Sequence, residues 1–196
     1  MDNDRKYLER EARKELILQG ALNVFCKNGL EGTTMDYIAE DSGFGKATLY
    51  YYFHSKEEVF SAILENGWLS LWESLDPIIN SNNKPRQTFI DVLFQITKNV
   101  RKHPGLYEFL FNVPKSISFE NEPWKKYQER MYIAIHSLLE DGIKIGEFPK
   151  IDSKLLFKAM GGLFMGLVLM GNKEKPVSEQ DVEELLNQLI RDPQHK

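Results

Sequence analysis

The sequence predicts an all-α protein of about nine helices, on three observations. Apolar residues recur at helical spacing along nearly the whole chain, while the apolar-polar alternation of a strand is hard to find. Glycines, prolines and capping hydroxyls fall between the periodic stretches, where helices would start and stop. With 196 residues, 42% of them apolar, the chain is also long enough to bury a real core.

The first helix is expected over residues 9 to 28, with Ile17, Ala21, Val24 and Phe25 on one face and Asn28 and Gly29 at a left-handed cap. "TTMDYIAEDSG" follows as a helix of about two turns, with Thr33 and Asp36 spaced as a capping box and Gly43 at its end. A third short helix fits Lys46 to Phe53. Ser55, with Glu58 three residues on, caps a fourth that continues through Phe60, Leu64, Trp68 and Leu75 until Pro77 closes it. After the polar turn "NSNNKPR", a fifth helix carries Phe89, Val92, Leu93, Ile96 and Val100 as far as His103 and Pro104. The short apolar segment "LYEFLFNV" and the loop "PKSISFENEP" precede a helix lined by Trp124, Tyr127, Met131, Ile135 and Leu138 that ends near Gly142. The last two helices span about 153 to 171 and the stripe Val182, Leu185, Leu186, Leu189, Ile190.

The formal charge of −4 argues against indiscriminate coating of nucleic acid or anionic membrane. "MDNDRKYLEREARKELI" lacks the apolar core of a signal peptide, and the apolar run "MGGLFMGLVLMG" falls short of the roughly 18 residues that span a bilayer. Cys26, the single cysteine, forms no internal disulfide, so a cytoplasmic protein with no membrane partner is expected. The four histidines show no ligand-like spacing, and no base is discernible beside Cys26; neither a metal nor another cofactor nor an enzyme is expected. "GFGKAT" fails as a phosphate-binding loop, because Glu40 and Ala47 stand where glycine and a hydroxyl are required.

The short helices around Gly43 meet the need of a helix-turn-helix, whose second helix enters a major groove about 12 Å wide. Ala39 is small where the two would cross, and Ile38, Phe44 and Leu49 can form their shared core. From Ser42 to Lys56 there are two lysines and no acid, whereas residues 1 to 60 hold eight basic and eleven acidic side chains. Tyr50 and Tyr51 project at about 100° to one another on such a helix, each offering a hydroxyl to phosphate or a ring to a thymine methyl. Leu49 and Phe53, one turn apart, would anchor it.

Over residues 10 to 64 the sequence resembles the DNA-binding end of the TetR family of bacterial transcriptional regulators. The resemblance rests on Ile17, Ala21, Phe25, "NGLEGTT", Ile38-Ala39, Gly43, Lys46, Thr48-Leu49-Tyr50, Phe53 and Lys56-Glu57-Glu58. It implies a helix-turn-helix DNA-binding domain over residues 1–54 and a helical effector-binding and dimerisation domain over 55–196. It also implies DNA contacts from Thr33, Thr34, Lys46, Thr48, Tyr50, Tyr51 and Lys56; Met35 and Asp36 depart from the donors or bases common there.

The implied function is a DNA-binding regulator, a repressor by family habit, released from a near-palindromic operator in double-stranded DNA by a small effector. A helical scaffold for other proteins is the alternative; it leaves the acid-free tyrosine segment unexplained. Trp68, Trp72, Phe89, Tyr107, Phe111, Trp124, Tyr127, Gln128 and Met131 are the candidate lining of a pocket for an apolar or aromatic ligand, with ordinary core as the competing reading of each. Gly162, Leu163, Gly166, Leu167 and Met170, with Leu186 and Leu189, are the candidate homodimer surface, by resemblance a four-helix interface; close packing within one subunit would explain the glycines equally.

Overall fold

The computed structural model describes residues 2–113, 122–168 and 178–189. Among them lie nine helices and no strand: α1 (Asp2–Asn28), α2 (Met35–Ser42), α3 (Lys46–Tyr52), α4 (Lys56–Ile79), α5 (Pro85–Lys102), α6 (Pro104–Phe111), α7 (Lys125–Lys144), α8 (Ser153–Val168) and α9 (Glu179–Leu189). The chain divides into two compact units, Met1–Trp68 with Gly105–Lys125, and Leu69–Pro104 with Lys126–Lys196. These packing units are not the functional division at 54/55, which stays a proposal.

The first unit takes in α6 because that helix completes its aromatic core. Phe25 of α1 stands edge-on to Phe60 of α4 at 5.1 Å, and Phe109 of α6 lies 4.7 Å from Phe60. Leu110 occupies the space beside Gly67, where a Cβ would lie 2.8 Å from its methyls. α1 and α2 approach closely at Gly20, whose absent Cβ would lie 2.7 Å from the Ser42 backbone. Asn23 adds a hydrogen bond to Asp41 at 3.2 Å. Gly29 ends α1 at φ 67°, the left-handed region that a side chain disfavours, as the sequence predicts.

In the second unit α5 starts at Pro85 after Lys84, which offers no side-chain cap. Glu147, from the turn after α7, supplies one by accepting the Arg86 amide at 3.0 Å. The adjoining Phe148 is buried edge-on to Phe89 at 5.9 Å and fills the space beside Gly142. Tyr132 of α7 meets Phe157 of α8 at 5.9 Å, and Ser178 and Asp181 cap α9 reciprocally.

Three expectations about helix ends are corrected. Thr34, not Thr33, caps α2, because Thr33 turns inward to a carbonyl of the preceding turn. α4 runs two residues past Pro77: the proline removes one backbone donor but leaves the last turn intact, and Asn80 closes it on the Asp76 carbonyl. Trp124 precedes α7 instead of lining it.

Candidate nucleic-acid interface

Thr34 sits in extended conformation and accepts the Tyr37 amide at 3.2 Å, which starts α2 cleanly. At the other end Gly43 adopts φ 71° and ψ 17°, while the Phe44 amide donates to the Ala39 carbonyl at 3.1 Å. This left-handed closure lets the chain turn at once and begin α3 at Lys46.

α3 has only seven residues and its N-cap, Gly45, makes no side-chain bond, so its position depends on tertiary anchors. Leu49 is fully buried and Phe53, at its C-cap, nearly so. The opposite face presents Lys46, Ala47, Tyr50 and Tyr51. Tyr51 is 70% exposed and Tyr50 42%. Tyr52 is half-buried and meets the Tyr51 ring edge-on at 5.2 Å, so one of the three adjacent phenols props another. Thr48 is half-buried.

The seven expected contact residues thus separate into groups. Thr34, Lys46, Tyr50 and Tyr51 are exposed, with Thr48 partly so. Thr33 does not join them: it is 1% exposed and its hydroxyl donates to the Gly29 carbonyl at 2.6 Å, tying the turn instead of facing outward. Lys56 is half-buried and its ammonium donates to the Leu30 and Glu31 carbonyls at 2.8 and 3.3 Å, bracing that turn against the start of α4. Sequence reasoning missed Tyr37, 51% exposed on α2 beside the cap. It also paired Asp36 with Thr33 in a capping box, whereas the carboxylate lies 2.6 Å from the Lys46 ammonium. That hydrogen bond and the charge behind it hold the Lys46 ammonium above its ordinary range.

The candidate ligand residues fall in both units. In the first, Trp68 and Tyr107 are buried and both rings meet Phe111, Trp68 edge-on at 5.5 Å; Trp124 is buried. Burial pushes the Tyr107 phenol up. In the second, Phe89 belongs to the Phe148 core, Met131 is buried, Tyr127 lies under the Lys126 ammonium, and Gln128 hydrogen-bonds the Tyr132 phenol. Trp72, also buried, carries the Arg130 guanidinium over its ring at 4.4 Å. Among the described residues no group of three or more His, Cys, Asp or Glu is placed to hold a metal, and no helix is long and apolar enough to cross a membrane.

Of the candidate dimer residues, Gly162 and Gly166 are exposed on α8, and a Cβ at either would meet no described atom within 4 Å. Leu163 and Leu167 border a small apolar cleft with Leu93, Met160, Phe164 and Val182. No described neighbour within the subunit therefore requires glycine at 162 or 166. Met170 lies outside the described residues, as do the side chains of Leu186 and Leu189.

Residues 17–63, which hold α2, the Gly43 turn and α3, match the model of the family described as bacterial regulatory proteins, tetR family. The HTH-type transcriptional regulator YfiR of Bacillus subtilis (strain 168) is 30% identical over 149 residues, covering 73% of this chain and 71% of YfiR. IcaR of Staphylococcus aureus (strain Newman), a negative transcriptional regulator of the biofilm operon icaADBC, is 27% identical over 162 residues, 80% of this chain and 78% of IcaR. Among solved structures, AibR in complex with isovaleryl coenzyme A and operator DNA superposes with a TM-score of 0.76 at 20% identity, over 91% of this chain and 98% of AibR. The family match, the YfiR relationship and the exposed α3 surface converge on one conclusion: the chain belongs to the tetR family of bacterial regulatory proteins, DNA-binding transcriptional regulators of the helix-turn-helix type.

Proposed function

We propose that the protein is a repressor, working in the cytoplasm as a homodimer on a near-palindromic operator and released from it by a small apolar or aromatic effector. The observation that carries the DNA-binding reading is the two-faced α3: Leu49 and Phe53 buried, with Lys46, Tyr50 and Tyr51 presented outward behind the left-handed turn at Gly43. An ammonium and two phenols supply the phosphate and base-edge contacts that a helix in a major groove makes. Two such helices related by a two-fold axis would occupy successive major grooves, about 34 Å apart, which is why the operator should be near-palindromic.

Repression is supported by the description of IcaR as a negative regulator, and a small-molecule effector by the isovaleryl coenzyme A held by AibR. The open Gly162 and Gly166 face of α8 supports a second copy of the chain packing there. An effector releases DNA only insofar as it prefers the arrangement that cannot bind it. The chain's chemistry is then binding, with no catalytic step assigned to any residue.

The test is binding to the intergenic DNA upstream of the protein's own gene, compared with random duplex at physiological salt. Affinity well above random is expected; equal affinity for both sinks the regulator reading and favours a scaffold for other proteins. A thermal-shift series with apolar and aromatic compounds tests the effector arm separately, a ligand that binds the folded state raising the midpoint.

A further inference from the structure

We propose that Asp36 is an internal competitor for phosphate at Lys46, which holds down affinity for DNA of arbitrary sequence and makes Asp36 a specificity-determining residue of the interface. This rests on the DNA-binding reading above. Lys46 is the one lysine or arginine between Lys27 and Lys56, so no second ammonium on α2, the turn or α3 can take its place. Lys56, the next in sequence, is engaged with the Leu30 and Glu31 carbonyls. The Asp36 carboxylate sits 2.6 Å from the Lys46 ammonium, and both side chains are more than half exposed, so the pair lies on the surface that DNA must approach.

A cation contributes to generic DNA affinity by replacing condensed counterions on a phosphate. An ammonium already neutralised by a carboxylate within hydrogen-bond distance replaces few. When phosphate does take the ammonium, the displaced carboxylate is left close to a group of its own sign. That repulsion is relieved only where the duplex offers Asp36 a donor, and in the major groove such donors are the exocyclic amino groups of cytosine and adenine. A sequence presenting one there recovers the lost affinity; a random sequence does not. The pair thus exchanges raw affinity for discrimination.

The experiment measures affinity for a duplex of random sequence across a salt series, by fluorescence anisotropy, for the wild-type chain, Asp36→Asn, Lys46→Met and the double variant. Asp36→Asn is expected to steepen the dependence of log K on log salt by about 0.9, one further phosphate, so that its advantage is roughly three- to fourfold larger at 50 mM than at 200 mM salt. In the Lys46→Met background the same change relieves only the carboxylate's own repulsion, so the steepening should be clearly smaller than with Lys46 present. A slope equal to the wild-type value overturns the proposal, and so does a steepening of the same size without Lys46, which would reduce Asp36 to a charge repelling DNA on its own. Thermal unfolding of each variant accompanies the titration; should Asp36→Asn lose its transition, Asp36→Ser replaces it under the same expectation. A wild-type chain with no salt-dependent affinity for any duplex removes the regulator reading and this inference with it, whereas Asp36→Asn indistinguishable from a DNA-binding wild type removes this inference alone.

Discussion

Replacing Lys56 with methionine separates two roles that one ammonium at the start of α4 can play. The change keeps the apolar stem and deletes the charge that donates to the Leu30 and Glu31 carbonyls at 2.8 and 3.3 Å. Hydrogen bonds from charged groups contribute about 1.5–3 kcal/mol where they are well shielded. Here the ammonium is half-exposed and both carbonyls lie in a surface turn where water can replace it, so about 1 kcal/mol for the two together is the reasonable figure. For a chain of this length that lowers the thermal midpoint by about 2–4 °C. A brace that stays on its carbonyls makes no phosphate contact, so the salt dependence of binding to random duplex should match the wild type. The reasoning is refuted by the opposite pair of results, an unchanged midpoint with a slope shallower by about 0.9, which would return Lys56 to the phosphate.

Tyr51→Ala should reduce affinity for the upstream DNA while costing less than about 1 kcal/mol of stability, since the ring is largely exposed and loses only its edge contact with Tyr52; a lost thermal transition would show the ring to be structural. Gly20→Ala places a methyl 2.7 Å from the Ser42 backbone, which cannot rotate aside, so overpacking of about 1–3 kcal/mol outweighs the helical gain of about 1 kcal/mol, and urea unfolding should register a net loss. A more stable variant would mean that α2 shifts freely against α1. Burial and, secondarily, the Glu108 carboxylate raise the Cys26 thiol, so less of it is thiolate near neutral pH than in a free cysteine. Alkylation should therefore be slow and accelerate as pH rises, and Glu108→Gln should speed it by removing the smaller of the two causes; equal rates in the two proteins would exclude the carboxylate.

What was legible in the sequence followed from short-range rules. The apolar stripe of α1, the left-handed Gly29 and Gly43, the Ser55 cap and the anchoring of α3 by Leu49 and Phe53 all depend on residues within a turn or two of one another. What was not legible depends on distance along the chain. Thr33 and Thr34 are the same residue type side by side, and only the path of the turn decides that one caps α2 while the other bonds Gly29. Lys56 meets a turn 25 residues earlier, and Glu147 caps a helix that starts 62 positions before it, contacts that no local pattern announces. The ligand candidates were drawn from aromatic content, which does not distinguish a cavity wall from core; Phe89 against Phe148 shows how readily such a ring is taken up by packing.

The division of labour on α3 explains why its outward face is free to carry specificity. A seven-residue helix without a side-chain cap has little stability of its own, so nearly all that holds it comes from Leu49, Phe53 and the Gly43 turn. Truncating Leu49 to alanine would cost about 2–5 kcal/mol, a large share of what a domain has to lose. Exposed positions on the same helix carry little of that load, and substitutions there usually change stability by less than about 0.5 kcal/mol. Lys46, Ala47 and Tyr50 can therefore be altered for a different operator without refolding the unit. Asp36 stands one helix away yet pairs with Lys46 across the turn. On the proposed role of Asp36, retuning α3 for a new sequence has to include α2, and grafting the outward residues of α3 alone into a relative lacking an acid at the position of Asp36 should raise affinity for all duplexes together instead of transferring preference for one.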